Sequence, residues 1–262
     1  MAKISLITVV KNNLIGISKT IRSIQMQSFN DYEHIIIDSN SNDGTSNYIK
    51  KNINPKMIYI REKDNGIYSA INKGIKRSNG KFLGLLHSGD FFISEDTLIH
   101  IYKKLYNQDY IYGNVAYYKK NKVNRIWNFK SNIKILNNPF KIPHTSLFIK
   151  KDIIKNQLKM YDENLKISSD LEFLIRLSKE NYNYKKIENY LVFMESGGAS
   201  FSYKNFFKKL TEDLRIIYKH YKYLFLFIYF YKVFIKIYGL LSKDEMNTLS
   251  KKLNRILDKI KQ

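Results

Sequence analysis

The sequence predicts an α/β protein whose Rossmann-like, mostly parallel sheet is flanked by helices. Apolar, β-branched runs alternate with helical patterns within the first 90 residues. The runs are apolar throughout, as expected of strands that are covered on both faces. Strands that alternate with helices in this way pair in parallel through right-handed crossovers. The four predicted strands are residues 4–10, 33–38, 56–62 and 81–86.

A helical pattern fills each of the three gaps between these strands. The first has isoleucines three or four residues apart, the second opens on Asx and Gly residues, and the third, at about 66–78, has one apolar face.

Ligands of such sheets bind beyond the carboxyl ends of the strands. Four polar clusters therefore fall on one predicted rim, at residues 11–13, 38–39, 62–64 and 87–90.

After residue 95 this alternation stops. A helical pattern at 96–105 is followed by strand-like segments at 109–118, 124–129 and 144–149, and by a helix over 169–180. The rest of the chain is mostly helical in pattern, and the capping-box sequence SKDE at 242–245 predicts the start of its last helix. The sheet is therefore expected to carry a helical C-terminal extension.

The charge of the chain indicates an anionic partner. There are 45 Lys and Arg residues against 23 Asp and Glu residues, a net charge of +22. The excess is concentrated at 119–159, with 11 basic residues and one acid, and at 201–262, with 14 basic residues and five acids. The partner can be nucleic acid, a membrane surface or a phosphorylated substrate.

Several functional classes are excluded because their residues do not occur. The absence of cysteine excludes disulfides, zinc–thiolate sites and cysteine nucleophiles. There is no G-x-x-x-x-G-K-[ST] loop, no G-x-G-x-x-G after the first strand, no G-x-S-x-G elbow and no H-E-x-x-H pair. The first residues have a short apolar run without a cleavage site, so a cytoplasmic location is expected rather than secretion.

The most apolar stretch of the chain is YLFLFIYFY at 223–231, which ends at Lys232. A membrane span needs about 20 apolar residues, so this stretch is too short to be one. Its aromatic residues and flanking lysines are typical of a helix that lies on a membrane surface. A helix that packs on the body of the protein fits the same pattern equally well.

Three aspartates are candidate functional residues, each with a simpler alternative. Asp38 directly follows a strand and can bind a nucleoside, but it can also be a turn or cap residue. Asp90 follows the fourth strand, where a lone aspartate is often a turn residue, but where one carboxylate together with substrate phosphates can also hold Mg²⁺ or Mn²⁺. Asp170 opens a predicted helix, where an acid commonly serves as a cap.

The order of several segments resembles that of the family 2 glycosyltransferases with the GT-A fold. The first three matching segments are ITVVKNN, IIIDSNSNDGT and EKDNGIYSAINKGIKRSNGKFLGLLHSGD, and IPHTSLFIKKDI and SSDLEFLIRL follow in order. The resemblance covers residues 3–195 and is greatest to the branch that builds bacterial surface polysaccharides. It implies an inverting transferase that uses a nucleotide-diphosphate sugar.

The resemblance implies a role for several residues at the nucleotide side. Thr8 and Val10 would line the nucleotide pocket, and Asp38 would contact the nucleoside. Asp64 and Asn72 would face the nucleotide sugar. The donor is expected to be a UDP-sugar.

The resemblance also places the metal, Mn²⁺ or Mg²⁺, on Asp90. Two positions depart from the family pattern: Gly89 and Ser39 stand where many members have a second acid. An acid at position 89 would bind the ribose or the sugar, and we expect Asp64 or backbone groups to do so here.

On the acceptor side, Asp170 matches the family's catalytic base, with Glu172 as a reserve candidate and His144 near the acceptor or the metal. An inverting transfer needs such a carboxylate to take the proton of the attacking hydroxyl. The expected acceptor is a glycan, in particular a lipid-linked glycan at an anionic membrane surface.

The expected organisation is a transferase domain at 1–200, with a nucleotide half at 1–95 and an acceptor half at 96–200, and a basic helical extension at 201–262.

Two other functions stay open. The charge and the 21 tyrosines and 16 phenylalanines would suit a nucleic-acid-binding protein, although a transferase needs no nucleic acid. Gly89 would suit a non-catalytic subunit of a glycan assembly complex.

Overall fold

The computed structural model describes residues 3–128, 138–197, 203–241 and 243–260. In these parts of the chain, nine strands form one sheet with helices on both faces. The strands are β1 (Ile4–Val10), β2 (Tyr32–Asp38), β3 (Met57–Arg61), β4 (Phe82–Leu85), β5 (Phe91–Phe92), β6 (Tyr110–Lys119), β7 (Lys122–Trp127), β8 (Leu147–Lys150) and β9 (Tyr184–Glu195). The helices are α1 (Leu14–Gln25), α2 (Thr45–Lys51), α3 (Ile67–Arg77), α4 (Thr97–Leu105), α5 (Ser169–Lys179), α6 (Tyr203–Tyr221), α7 (Phe225–Leu241) and α8 (Lys243–Ile260).

The first four predicted strands and the helices between them are confirmed. The sheet order at this side is β3-β2-β1-β4, and all three pairings are parallel. Every residue of β1 and β2 is buried, because helices cover both faces of the sheet. The predicted α/β class, with a mostly parallel sheet flanked by helices, is therefore confirmed.

The second half of the sheet is mixed. β8 runs antiparallel to both β4 and β6, whereas the long strand β9 runs parallel to β6 and antiparallel to β5. The sequence pattern did not reveal β9, because its first half alternates exposed charged residues with few apolar ones. This strand matters for the site, since it ends at Glu195 beside the turn that follows β4.

One predicted element differs from the structure. The segment at 144–149 is not a continuous strand, because His144–Ser146 forms a 3₁₀ turn and β8 starts only at Leu147. The hydroxyl of Ser146 donates to the carbonyl of Gly113 at 2.7 Å, which holds this turn against β6. Residue 129, at the end of a predicted strand, and Ser242 of the capping box lie outside the described residues.

The helices after residue 203 pack against the body of the protein. α6 contributes Ile216 and Ile217 to the main core, and α7 contributes Ile235. α8 places Leu253 and Leu257 in a smaller core beneath β6 and β7. No helix within the described ranges combines the length and the apolar character that a membrane span requires.

Candidate active site

The carboxyl ends of β1, β2 and β3 meet in register and form the predicted rim. Val10 pairs with Asp38, and Asp38 pairs with Arg61 on the next strand. The backbone N–H of Ser39 donates to the carbonyl of Val10 at 2.9 Å, so the chain leaves the sheet in a tight turn. Val10 itself is buried, and its predicted contact with a nucleotide stays a prediction.

Asp38 is fully buried and fully hydrogen-bonded. Its carboxylate accepts hydrogen bonds from the Ser41 N–H at 2.9 Å, from the Tyr59 hydroxyl at 2.8 Å and from the Ser46 hydroxyl. Burial alone would raise the pKa of Asp38, but these hydrogen bonds outweigh it and hold the pKa below its usual value. The carboxylate therefore stays charged and organises the loop after β2.

Thr8 is also fully buried, two residues before the rim. Its hydroxyl donates to the carbonyl of Leu86 at 2.7 Å and lies 2.8 Å from Nε2 of His34. Because the hydroxyl proton goes to the carbonyl, the His34 ring is the donor in the second contact. Thr8 thus ties β1 to the segment after β4, and its predicted contact with a nucleotide stays a prediction.

Asp64 and Asn72 lie beyond β3 and on α3. Asp64 accepts the N–H of Gly66 at 3.0 Å and so shapes the turn before α3. Asn72 is buried and binds the backbone of Tyr161 in both directions, at 2.8 and 3.0 Å, and the carboxylate of Glu163 at 2.9 Å. The side chain of Asn72 therefore joins α3 to the loop before α5, and the predicted roles of both residues at the donor stay predictions.

Asp90 lies in a tightly held turn after β4. The N–H of Gly89 donates to the hydroxyl of Thr20 at 3.1 Å, and that hydroxyl donates to the carbonyl of Asp90 at 2.7 Å. The Tyr118 hydroxyl donates to the carbonyl of Gly89 at 2.7 Å. Gly89 has a φ of +101°, a conformation that L-residues rarely adopt.

The carboxyl group of Asp90 is buried and receives little hydrogen bonding from the described chain. Oδ1 accepts the backbone N–H of Glu195 at 3.0 Å, whereas Oδ2 is buried without a partner in the described chain. Burial raises the pKa of Asp90 to about 8, and the nearby charge of Glu195 adds to the rise. A buried oxygen without a partner fits a cation ligand, although the described residues contain no cluster of three or more His, Cys, Asp or Glu that could hold a metal by itself.

Asp170 lies at the start of α5, with its side chain 27% exposed. The Tyr68 hydroxyl donates to the carbonyl of Ile167 at 2.7 Å and also lies 3.1 Å from Oδ1 of Asp170. Nδ1 of His144 lies 3.4 Å from Oδ2. Burial would raise the pKa of Asp170, but His144, Lys209 and the hydrogen bonds outweigh it and lower the pKa. The carboxylate is therefore ionised, oriented from two sides and still open to solvent.

The two imidazoles of His144 and His87 connect Asp170 with the turn that carries Asp90. Their ring centroids are 5.5 Å apart, and the carbonyl of His87 accepts the N–H of Asp90 at 2.9 Å. Burial lowers the pKa of His144, and burial together with His144 lowers the pKa of His87 to about 3. Asp90 and Asp170 therefore share one end of the sheet, with the two imidazoles between them.

Glu172 has partners of a different kind. It is buried, and it binds Arg176 at 2.8 Å and His220 of α6 at 3.3 Å. These contacts join α5 to α6. The side chain of Asp170 is 27% exposed whereas that of Glu172 is 5% exposed, and the roles predicted for both residues stay predictions.

The residues that hold Asp170 in place were not identified from the sequence pattern. Glu212 of α6 accepts the N–H groups of Lys166, Ile167 and Ser168 at 2.9–3.0 Å, and so fixes the loop before α5. The ring of Tyr161 stacks on Tyr68 and on Phe173, which fixes the Tyr68 hydroxyl at Asp170. Only a homologous structure could have revealed these contacts, because they join segments that are far apart in the sequence.

Arg125 of β7 is a further residue that the motif analysis did not identify. Its guanidinium lies 5.0 Å from the ring of Tyr117 and 4.8 Å from that of Trp127. Its Nε is buried without a hydrogen-bond partner in the described chain. Asp90 and Asp170 both lie close enough to Tyr117 for their charges to raise its pKa. Arg125, which stacks on Tyr117, therefore places a positive charge near the same end of the sheet.

The parallel sheet, with its acids at the carboxyl ends of the strands, defines the class of protein. It is a glycosyltransferase with the GT-A fold, as the resemblance implied. The family model described as Glycosyl transferase family 2 matches residues 5–211. This match covers more than half of the chain, and the chain belongs to that family.

Relatives with similar sequences carry glycosyltransferase names. An uncharacterized glycosyltransferase of Mycobacterium tuberculosis is 28% identical over 191 residues, which are 66% of this chain and 68% of that protein. A PGL/p-HBAD biosynthesis glycosyltransferase of Mycobacterium bovis is 25% identical over 204 residues, 74% of this chain and 78% of that protein.

Solved structures share the fold at low sequence identity. S. aureus TarS 1-349 in complex with UDP-GlcNAc has a TM-score of 0.68 at 16% identity, over 84% of this chain and 67% of that chain. The mannosyltransferase PcManGT from Pyrobaculum calidifontis, in complex with GDP-Man and Mn²⁺, has a TM-score of 0.63 at 13% identity, over 98% and 73%. This chain spans 66% of another structure of TarS 1-349 and 40% of a longer TarS chain. The likeness establishes the fold.

Proposed function

We propose that this glycosyltransferase is inverting and metal-dependent. It moves a sugar from a nucleotide-diphosphate sugar to a hydroxyl of a lipid-linked glycan during surface polysaccharide synthesis. One observation carries the proposal: the solvent-accessible, oriented carboxylate of Asp170 shares an end of the sheet with the partnerless buried oxygen of Asp90. The Mycobacterium bovis relative, named for PGL/p-HBAD biosynthesis, supports a glycolipid or surface glycan as product.

Asp170 acts as the general base. Its lowered pKa keeps it charged at neutral pH, and Tyr68 and His144 hold its two oxygens toward the open side of the sheet. An acceptor hydroxyl beside it loses its proton to Asp170 while its oxygen attacks the anomeric carbon from the face opposite the leaving diphosphate. A single displacement of this kind inverts the anomeric configuration.

Asp90 holds the divalent cation. Mn²⁺ and Mg²⁺ take hard oxygen ligands, commonly one or two carboxylates and substrate phosphates, and the buried Oδ2 of Asp90 supplies one such oxygen. The bound cation would neutralise the charge that develops on the leaving diphosphate. PcManGT, which has the same fold, was solved with GDP-Man and Mn²⁺, which supports a metal-bound donor here.

The donor is a UDP-sugar that binds across the rim. Asp38 shapes the nucleoside side by fixing the loop after β2, with the guanidinium of Arg61 4.0 Å from its carboxylate. The complexes of TarS with UDP and with UDP-GlcNAc, on a similar fold, support this choice of nucleotide. Asp64 and the half-buried Arg125 are then available for the sugar and the diphosphate.

The membrane surface is the proposed location, on the cytoplasmic face. α7 packs against the core through one face and exposes aromatic and aliphatic side chains on the other. The exposed residues at its start and along that face are Tyr223, Leu224, Leu226, Phe227, Phe230 and Phe234. With the net positive charge of 201–262, they form a surface that suits anionic lipid, where a lipid-linked acceptor would be found.

Release of nucleoside diphosphate from a panel of sugar nucleotides, with Mn²⁺ or Mg²⁺, tests the catalytic part of this proposal. We expect turnover with a UDP-sugar, and a loss of at least about 100-fold for Asp90→Ala and for Asp170→Asn. Asp31→Asn, which changes a partly exposed acid paired with Lys3, is the matched control and should retain activity.

Two results would contradict the catalytic roles. If Asp90→Ala and Asp170→Asn both turn over as fast as the wild type, Asp90 is not the metal ligand and Asp170 is not the base. A product with the anomeric configuration of the donor, measured by NMR, would exclude the inverting displacement. Failure of every donor would favour the non-catalytic subunit.

Vesicle binding tests the proposed membrane surface. We expect the protein to sediment with phosphatidylglycerol vesicles more strongly than with phosphatidylcholine vesicles, and Phe227→Ser with Phe230→Ser to weaken that binding. Equal sedimentation of the wild type and the double variant would show that α7 does not carry the contact.

A further inference from the structure

The space beside Gly89 is occupied by a carboxylate from a distant strand. A Cβ added at Gly89 would lie 2.5 Å from Oε2 of Glu195, closer than real Cβ atoms approach any oxygen. Glu195 is the last residue of β9 and is exposed. Its carboxylate therefore stands where the side chain of an acid at position 89 would begin.

The pairing of β5 with β9 places Glu195 opposite Asp90. The two strands are antiparallel, with Phe91 opposite Phe193. Beyond this pair, the backbone N–H of Glu195 donates to Oδ1 of Asp90 at 3.0 Å. Because this bond fixes the backbone of Glu195, its side chain can reach back over the bare backbone of Gly89.

Two carboxylates without a balancing cation are brought together by this arrangement. Within the described parts of the chain, Oδ2 of Asp90 is buried without a hydrogen-bond partner, and Asp90 is only 3% exposed. No ion pair of Glu195 with a lysine, arginine or histidine occurs among the described side chains. Adjacent like charges in a partly buried site are unfavourable unless a cation lies between them or one of them is protonated.

We infer that Glu195 is a second carboxylate ligand of the divalent cation held by Asp90, and that it replaces the acid missing at Gly89. The inference rests on the proposed metal-dependent function. Asp90 offers an oxygen from inside the turn, and Glu195 offers oxygens from the solvent side. Two carboxylates and the phosphates of a donor make a typical ligand set for Mn²⁺ or Mg²⁺. A side chain at position 89 would compete with the Glu195 carboxylate for this space.

A direct measurement of Mn²⁺ binding tests this inference without depending on turnover. Free Mn²⁺ is followed by electron paramagnetic resonance as the full-length protein is titrated, with UDP and separately with GDP. We expect Glu195→Gln to weaken Mn²⁺ binding at least about tenfold. Asp90→Asn should weaken it further, since it removes the buried ligand.

Glu188→Gln is the matched control. Glu188 lies on the same strand, is exposed and pairs with Lys186 at 2.8 Å. The control should bind Mn²⁺ as the wild type does. Thermal melting without metal checks folding, and Glu195→Gln should melt at the wild-type temperature because residue 195 is exposed.

The outcomes separate this inference from the proposed function. If Glu195→Gln binds Mn²⁺ as tightly as the wild type whereas Asp90→Asn does not, Glu195 is not a ligand and the inference is wrong. The proposed metal dependence would survive that result. If the wild type binds no Mn²⁺ with either nucleotide, both this inference and the metal-dependent function are wrong.

Discussion

Two buried aspartates lie at the ends of the strands on either side of β1, and the fold treats them in opposite ways. Asp38, after β2, is fully buried and accepts three hydrogen bonds, so its pKa is lowered. Asp90, after β4, is nearly as buried but has one hydrogen bond, and its pKa is raised to about 8. Burial is common to both, so the number of donors decides the difference.

The difference separates an acid that supports the fold from an acid that is available to a ligand. The hydrogen bonds of Asp38 are all made within the protein, and they order the loop after β2. Asp90 leaves one oxygen partnerless, which costs stability unless something outside the chain binds it. Four predictions test this distinction.

Asp90→Asn should reduce activity more than any other change at the rim, without loss of stability. We expect turnover to fall by about 100- to 1,000-fold, or about 3–4 kcal/mol of transition-state stabilisation. The melting temperature of the metal-free protein should change little, because asparagine has the size of aspartate and keeps an oxygen that accepts the N–H of Glu195. Turnover assays and thermal melting check both parts. A large drop in melting temperature would show that Asp90 has a structural role.

Asp38→Asn should reduce stability rather than activity. We expect the free energy of unfolding to fall by about 2–3 kcal/mol. An amide cannot accept all the hydrogen bonds that the carboxylate receives from Ser41, Ser46 and Tyr59. Urea unfolding measures the change in free energy. A variant as stable as the wild type would remove the distinction between the two aspartates.

The free energy of unfolding should also fall in mild acid, because His34 of β2 is buried in its neutral form. Burial lowers the pKa of His34 from 6.5 to about 3. Below pH 6.5 the unfolded chain binds a proton at His34 that the folded protein does not bind. The free energy of unfolding therefore falls by about 1.4 kcal/mol per pH unit as the pH drops from 6.5 toward 3. Between pH 6.5 and 5 the free energy of unfolding should fall by about 2 kcal/mol from this group.

His34→Gln separates this effect from other titrations. The glutamine amide can still donate to Thr8, but it does not titrate. Unfolding free energies measured between pH 7 and 5 should then depend less on pH than those of the wild type. An unchanged pH dependence would mean that His34 is not responsible.

Tyr59→Phe should give the smallest effect, a loss of about 1 kcal/mol. It removes one of the hydrogen bonds to Asp38 and leaves the others in place. Urea unfolding measures the loss, and donor binding should change little. A loss larger than that of Asp38→Asn would show that the ring of Tyr59, rather than its hydroxyl, matters most.

The sequence predicted the sheet better than it predicted the site. The four parallel strands followed from runs such as 4–10 and 33–38, because helix and strand periodicity is a local property. The carboxyl ends of these strands then placed Asp38 on the rim and Asp90 after β4. The motif order identified the family, which the match over residues 5–211 confirms.

The alternatives at 223–231 show where sequence patterns stop being informative. The same apolar residues fit a helix on a membrane and a helix on the protein. In the structure α7 packs on the core through residues such as Tyr229 and Ile235, while Phe227 and Phe230 stay exposed. The structure therefore shows that α7 packs on the protein. The side chains that α7 leaves exposed are the basis of the proposed membrane contact.

By itself, the sequence determined the fold class, the family and the aspartates at the strand ends. Only the tertiary structure decided what those aspartates can do. Glu195 reaches Asp90 across 105 residues, and Tyr68 reaches Asp170 across 102. The physical reason is that periodicity depends on neighbours along the chain, whereas the protonation and hydrogen bonding of a buried acid depend on groups that folding brings to it.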